Sequence, residues 1–286
     1  MKCYTAPSLG GLEGTAEEAW GVKKYHPLRD RNEPTVFFGL YDMRDYLALW
    51  FHRGERFVLW CGADIENLAS GFVLNDGKLK IVSGLFGGLP KFFMDMLRYD
   101  CIHFVEDEDE AEKLKDFGIT AKIVPSFLGK ISHFPISYKQ NDRPNVFISG
   151  HEGRQEEYGL SFLKDIAFEC RDITFHVYGV NQRYRDYSDN VIWHGKVTKE
   201  QFNREIKDYQ CGLRLNSHDG FSEISAKSIL MGQYPITRLR YPMIPNFNTE
   251  DELVALLKAL KEMDGPNYLG SDYYRVHLNR FPWVHA

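Results

Sequence analysis

Short apolar runs alternate along the chain with segments whose apolar positions recur every three or four residues, the pattern of parallel strands covered by helices. In the first half the runs Thr35 to Leu40, Arg56 to Cys61, Cys101 to Val105 and Ala121 to Pro125 predict strands, with a shorter one over Lys2 to Ala6. Helical spacing covers Asp45 to Arg53 and Asp109 to Phe117, and the second of these stops at Gly118, as an ordinary helix-to-strand junction does. One segment departs from the alternation: FVLNDGKLKIV sets Asn75, Asp76 and Gly77 between two apolar arms and predicts a hairpin.

A polar stretch, SYKQNDRPNV, with a proline at position 144, then interrupts the pattern and places a boundary near Lys139 to Arg143. Beyond it a second series predicts strands over Asn145 to Ser149, Thr174 to Tyr178, Val191 to His194, Cys211 to Leu215 and Tyr234 to Arg238. Its helices fall at Gly159 to Glu169, Lys199 to Tyr209, Glu223 to Met231 and Thr249 to Met263. The expected fold is α/β, with two Rossmann-like parallel-sheet domains facing a cleft. Residues 1–140 form the first, residues 141–265 form the second, and residues 266–286 pack back across both.

Composition changes this picture little. The chain has 286 residues, enough for two domains with a core each. Hydrophobic residues make up 43% and charged residues 26%, which suggests neither disorder nor a membrane class. Net charge is −5 and the basic residues are scattered, so the sequence gives no support to a nucleic acid partner, although nothing in it forbids a nucleic acid acceptor. Five cysteines without a CxxC pair argue for reduced thiols and a cytoplasmic setting. The N-terminus lacks a signal-peptide core and no window is apolar enough to span a bilayer, so any membrane role is peripheral.

In an open parallel sheet, ligands bind beyond the carboxyl ends of the strands. In the second domain that rule selects four loops: GHEGR with Gly150, His151 and Arg154; YGVNQ with Tyr178 and Gly179; HGKVT with Lys196, Val197 and Thr198; and NSHDGFSE. In the last, Gly220 permits a tight turn, while Phe221 and Ser222 open a helix whose unpaired amides favour a diphosphate; His218 and Asp219 stand at its mouth. Arg214 sits inside an apolar strand run, where a charge needs a partner, and a phosphate or Asp219 could supply one. In the first domain Asp64 follows a strand, as a candidate acceptor contact or base, or as the cap of the helix after it.

The order NVIWHGKVTKEQFNREIKDYQCGLRLNSHDGFSEISAKSILMGQYPI resembles the C-terminal half of GT-B glycosyltransferases of the family 4 kind. The resemblance extends over roughly residues 144–260 and covers the first half in outline only. It implies a metal-independent, retaining transfer of a hexose from a nucleotide sugar, in glycan biosynthesis, with no cofactor beyond that donor. The acceptor would be a glycan, a lipid-linked sugar or another hydroxyl compound. By the same resemblance Asp219 contacts the transferred sugar, Lys196 to Thr198 pass beside the nucleobase, and Gly10 and Gly11 lie under the donor phosphates.

Two positions depart from the family. Lys227 stands where an acidic residue holds the ribose hydroxyls, and a cation cannot accept from a diol. Either Glu223, one turn earlier, takes over, or the two residues form an exposed ion pair on the helix. Tyr158 occupies the usual place of a phosphate-facing lysine, which leaves Arg154 as the basic residue of that loop. These departures motivate a second reading, a nucleotide-sugar or glycan binding protein without turnover. A third is a metal-dependent glycosyltransferase using the DxD of Asp107, Glu108 and Asp109, although acidic residues at a helix start are also what the helix dipole favours. No G-x-G-x-x-G and no G-x-x-x-x-G-K-[ST] follows a strand, which sets dinucleotide and P-loop chemistry aside.

Overall fold

The computed structural model describes residues 1–10, 12–69, 91–181, 187–216 and 220–284. The predicted hairpin at Phe72 to Val82 lies outside the described residues, as do Gly11, His218 and Asp219. The chain forms two compact units, Met1–Gly129 with Leu278–Ala286, and Lys130–His277.

The first unit contains β1 (Lys2–Thr5), α1 (Glu13–Trp20), β2 (Lys23–Lys24), β3 (Thr35–Phe38), α2 (Met43–Phe51), β4 (Arg56–Leu59), α3 (Ala63–Ala69), α4 (Lys91–Asp100), β5 (Cys101–Val105), α5 (Glu108–Asp116) and β6 (Ala121–Ile123). Its strands run in the order β2-β1-β3-β4-β5-β6, and every pairing is parallel. Alternate residues of each strand point to opposite faces, and both faces are filled. Phe37, Val58 and Val105 pack with Leu49, Leu97 and Leu114 from the helices on one side. On the other, Phe38, Phe57 and Phe104 pack with Trp20, Phe281 and Trp283. Burying one such phenyl ring contributes about 1.5–3 kcal/mol.

Helix α2 starts two residues earlier than the apolar spacing predicts, because Asp42 and Asp45 form a capping box. The Asp42 side chain accepts from the Arg44 and Asp45 amides while Asp45 accepts from the Asp42 amide at 2.9 Å. Apolar periodicity registers the buried face but says nothing of where caps close the ends.

The second unit contains β7 (Asn145–Ser149), α6 (Leu160–Glu169), β8 (Thr174–Tyr178), β9 (Val191–Gly195), α7 (Lys199–Glu205), β10 (Cys211–Arg214), α8 (Glu223–Leu230), β11 (Ile236–Thr237), α9 (Glu250–Ala259) and α10 (Tyr268–His277). The sheet order is β11-β10-β7-β8-β9, again parallel throughout. Strand β11 is shorter than the run Tyr234 to Arg238 predicts. Pro235 has no amide to give the ladder, and the Leu239 amide turns back to the Thr237 hydroxyl at 3.1 Å. One face of this sheet is apolar, with Val146, Ile148, Phe175, Val177 and Leu213 packed under α6 and α9. The other carries Phe147 against Phe202 and Tyr209, and polar residues at His176 and Tyr178.

The C-terminal stretch divides between the units. Helix α10 packs on α8 in the second, and Ser271 at its centre donates to the Leu230 carbonyl at 3.1 Å. Residues 278–284 belong to the first, where Asn279 accepts from Trp20 Nε1 and the Phe127 amide.

Candidate functional site

The strand order of the second unit fixes where a ligand can enter. From β7 the chain moves out to β8 and β9 on one side, then returns to β10 and β11 on the other. The connections after β7 and β10 therefore diverge, and in open parallel sheets such a switch point is where ligands enter. Ser149 and Gly150 end β7, Arg214 ends β10, and the turn through Gly220 to Ser222 starts α8.

Arg214 is the central cation of this edge. It is 9% exposed, its Nη1 donates to Ser149 Oγ at 2.8 Å, and its guanidinium carbon lies 4.9 Å from the Tyr158 ring centre. A guanidinium is a planar fork whose geometry suits bidentate contact with an anion. Tyr158, at the place where the family resemblance expects a lysine, is a platform for Arg214 and, 5.9 Å away, for Arg154, and the His151 ring lies roughly parallel at 6.1 Å. Arg154 itself is exposed and ion-paired to Glu157 one turn along.

Helix α8 begins as expected at this edge. Ser222 caps it by accepting from the Ile224 amide at 3.1 Å, and Glu223 is the acidic residue of its first turn. Gly220 and Phe221 are fixed from below: the Gly220 carbonyl accepts from the Tyr241 hydroxyl at 2.8 Å, and Phe221 stacks on Tyr274 at 4.9 Å. The Glu223 and Lys227 ion pair forms at 3.0 Å, but it is not the exposed pair of the sequence reading. The Lys227 side chain is only 5% exposed, over Phe202 at 5.0 Å and Phe134 at 5.9 Å, while Glu223 keeps 42% exposure. Burial holds the Lys227 ammonium below the usual lysine range, and Glu223 counters that shift.

Gly179 follows β8 in the YGVNQ loop. In the structure the group that comes close is the neighbouring strand. Gly179 has φ +88°, and a Cβ there would stand 2.4 Å from the Gly150 carbonyl oxygen. Tyr178 is buried, with its hydroxyl donating to Glu205 at 2.8 Å and meeting Tyr209 at 2.9 Å, so it supports the edge from below. His194 stacks on Tyr178 at 4.3 Å and reaches His176 at 2.9 Å. Burial pushes His176 down to about 4, and the adjoining His194 adds to the shift.

The loop after β9 is tied to the loop after β7. The Lys196 amide donates to Asn181 Oδ1 at 2.9 Å, the Asn181 amide donates to Glu152 at 3.0 Å, and Lys196 Nζ lies 3.3 Å from Glu152. Val197 is half-buried, and Thr198 caps α7 by accepting from the Gln201 amide at 3.1 Å. Ser149 and Asn216 were not singled out from the sequence. A buried Asn216 whose Oδ1 has no hydrogen-bond partner, at the end of β10, is visible only in three dimensions.

In the first unit, the Gly10 amide donates to the Pro7 carbonyl at 3.1 Å in a short turn after β1. Asp64 is not placed to act on a substrate. It is fully buried, one oxygen accepting from the Leu40 amide and the other from the Cys61 and Ile65 amides, so it ties the ends of β3 and β4 together. Desolvation raises its carboxyl to about 6. Asp107 caps α5 by accepting from the Glu110 amide at 2.8 Å, so its carboxylate serves the helix start.

No protein-family model and no curated protein sequence matches this chain. Solved structures do. The apo form of WaaB, a lipopolysaccharide outer core galactosyltransferase, aligns with 100% of this chain and 97% of its own at TM-score 0.59 and 14% identity. Sucrose-phosphate synthase from Thermosynechococcus elongatus aligns with 88% of this chain and 71% of its own, at TM-score 0.58 and 10% identity. A complex of S. aureus TarM with fondaparinux, alpha-GlcNAc-glycerol and UDP aligns with 86% of this chain at TM-score 0.52 and 12% identity. This chain spans 52% of that TarM chain, about half its length.

Proposed function

Given that the chain has the GT-B fold of family 4-like glycosyltransferases, we propose that it transfers a sugar from a nucleoside-diphosphate sugar to a hydroxyl-bearing acceptor. The observation that carries this reading is the convergence at the β7 and β10 tips of a buried arginine on an aromatic platform with the capped start of α8.

In this reading the diphosphate lies across the tips of β7 and β10. Arg214 and the first-turn amides of α8 take up the charge that develops on the leaving phosphate, the role a divalent cation plays elsewhere. The loop Lys196 to Thr198 borders the nucleobase, and Asp219, four positions before Glu223, contacts the transferred sugar. The bond from the anomeric carbon to the diphosphate breaks, a bond to the acceptor oxygen forms, and the departing phosphate oxygen takes the acceptor's proton. Configuration is retained, and no metal takes part. The donor is a UDP sugar, as the UDP bound to TarM suggests, and the acceptor is a glycan or lipid-linked hydroxyl. Among the described residues no helix is long and apolar enough to cross a membrane.

A second reading has its own observation. Lys227 is buried and paired with Glu223, at the place where the family resemblance calls for a ribose-binding acid. A protein that binds the donor and does not turn it over would carry such a substitution. Incubating the full chain with a panel of sugar nucleotides and simple acceptors, and following free nucleoside diphosphate, separates the two. Release that requires the acceptor supports transfer, whereas tight donor binding with no release supports the binding protein.

A further inference from the structure

Two positions beyond Arg214, Asn216 is 8% exposed, and its Oδ1 is buried with no hydrogen-bond partner among the described residues. Successive residues of an extended chain point to opposite sides. Leu213 and Leu215 lie in the apolar core under α6, and a Cβ on Gly159, which caps that helix, would stand 2.6 Å from Leu215 Cβ. Arg214 and Asn216 therefore share the other side, where Arg214 reaches Ser149.

An unpaired buried amide oxygen lowers stability, so folds keep few of them. Asn190 and Asn203, which also carry one among the described residues, lie at the amino end of β9 and within α7. Asn216 Oδ1 lies instead at the carboxyl end of β10, where open parallel sheets take their ligands. An amide oxygen accepts and does not donate. Phosphate oxygens also accept, so the diphosphate cannot satisfy it, whereas a hydroxyl can. Strand order indicates which hydroxyl. On the transferase reading the nucleobase lies beside the loop after β9 and the diphosphate across the tips of β7 and β10. The donor then follows the sheet order from β9 through β8 and β7 to β10, and its sugar comes last. Asn216, beyond Arg214 on β10, stands at that end.

We propose that Asn216 is a specificity-determining residue whose Oδ1 accepts a hydrogen bond from a hydroxyl of the transferred sugar. The inference rests on the transferase reading and adds to it a contact that selects the sugar. The full chain is titrated calorimetrically with UDP, UDP-glucose, UDP-galactose and UDP-N-acetylglucosamine, and the affinity of each sugar nucleotide is divided by that of UDP. In Asn216→Leu this ratio falls ~10-fold for the sugar that the wild type binds best, while UDP binding stays within about 2-fold. Without ligand the variant melts at or above the wild-type temperature, because an unsatisfied buried oxygen has gone. A residue that only supported the strand tip would give a lower melting temperature and equal losses for UDP and its sugars. Asn216→Asp keeps an acceptor oxygen, so it retains the ratio while its charge weakens both ligands. An unchanged ratio in Asn216→Leu, as a water bound in place of the hydroxyl would give, overturns the proposal. So does a loss of UDP affinity equal to that of the sugar nucleotide, or a ratio that falls as far in Asn216→Asp as in Asn216→Leu. Failure of the wild type to bind UDP at all is a different result, which sinks the transferase reading and the proposal with it.

Discussion

Replacing Arg214 by alanine tests how the site holds an anion. In the free protein the side chain's contacts include a hydrogen bond to Ser149 and a ring contact to Tyr158. These contribute about 1–2 kcal/mol, partly offset by relief of the cost of burying the charge. The melting temperature should therefore move by only a few degrees. With a diphosphate bound as proposed, the same guanidinium would gain charge-assisted bonds to phosphate oxygens, whose loss costs about 3 kcal/mol, or ~150-fold in affinity. Calorimetric titration with UDP and with uridine separates the phosphate contribution from that of the base. We expect Arg214→Ala to abolish most of the preference for UDP while leaving uridine binding as it was. Arg214→Lys should restore part of the preference, because the charge returns without the fork. A variant that folds and still prefers UDP by the wild-type margin would refute the reasoning.

Three further outcomes follow. Gly179→Ala places a Cβ 2.4 Å from the Gly150 carbonyl oxygen at a positive φ, so it should lower stability by about 2–4 kcal/mol, read as a drop in denaturation midpoint. Lys227→Met should be neutral or stabilising by ~1 kcal/mol near neutral pH, because its partner Glu223 stays in contact with water. Burial depresses the lysine's folded value, so the wild type regains that deficit as pH rises toward the unfolded lysine value, and melts of the two proteins at neutral and alkaline pH should converge. Acid melting should show loss of stability between the ordinary histidine value and about 4, where burial holds both His103 and His176, since the unfolded chain takes up protons that these rings refuse. Asp64, raised to about 6, works the other way, its contribution being full at low pH and lost as pH rises through that value. A Tm that stays level from the ordinary histidine value down to about pH 4 would contradict this account of His103 and His176.

Much of the architecture was legible because its physics is periodic. Strand β8 came from a run with no exposed polar position to confuse it, and α8 from glycine, serine and glutamate in the order that a helix start requires. The ends were less legible. The start of α2 depends on a reciprocal pair of carboxylates, and the brevity of β11 on a missing amide at Pro235. In the site, Arg214 announced itself as a charge inside an apolar run. Its support by Ser149 and Tyr158 did not, since they lie 65 and 56 positions away in sequence. Asp64 shows the opposite failure. A carboxylate after a strand has the same signature in sequence whether it faces a substrate or, as here, three backbone amides.

The most direct test of the central claim is the melting temperature of the full chain in the presence of each sugar nucleotide of a panel, from UDP, GDP, ADP and TDP to CMP sugars. At a concentration well above its dissociation constant one nucleotide, most simply UDP, should raise the melting temperature by on the order of 5 °C. No shift with any of them, from a protein that melts cooperatively, would mean that the β7 and β10 tips do not hold a nucleoside diphosphate.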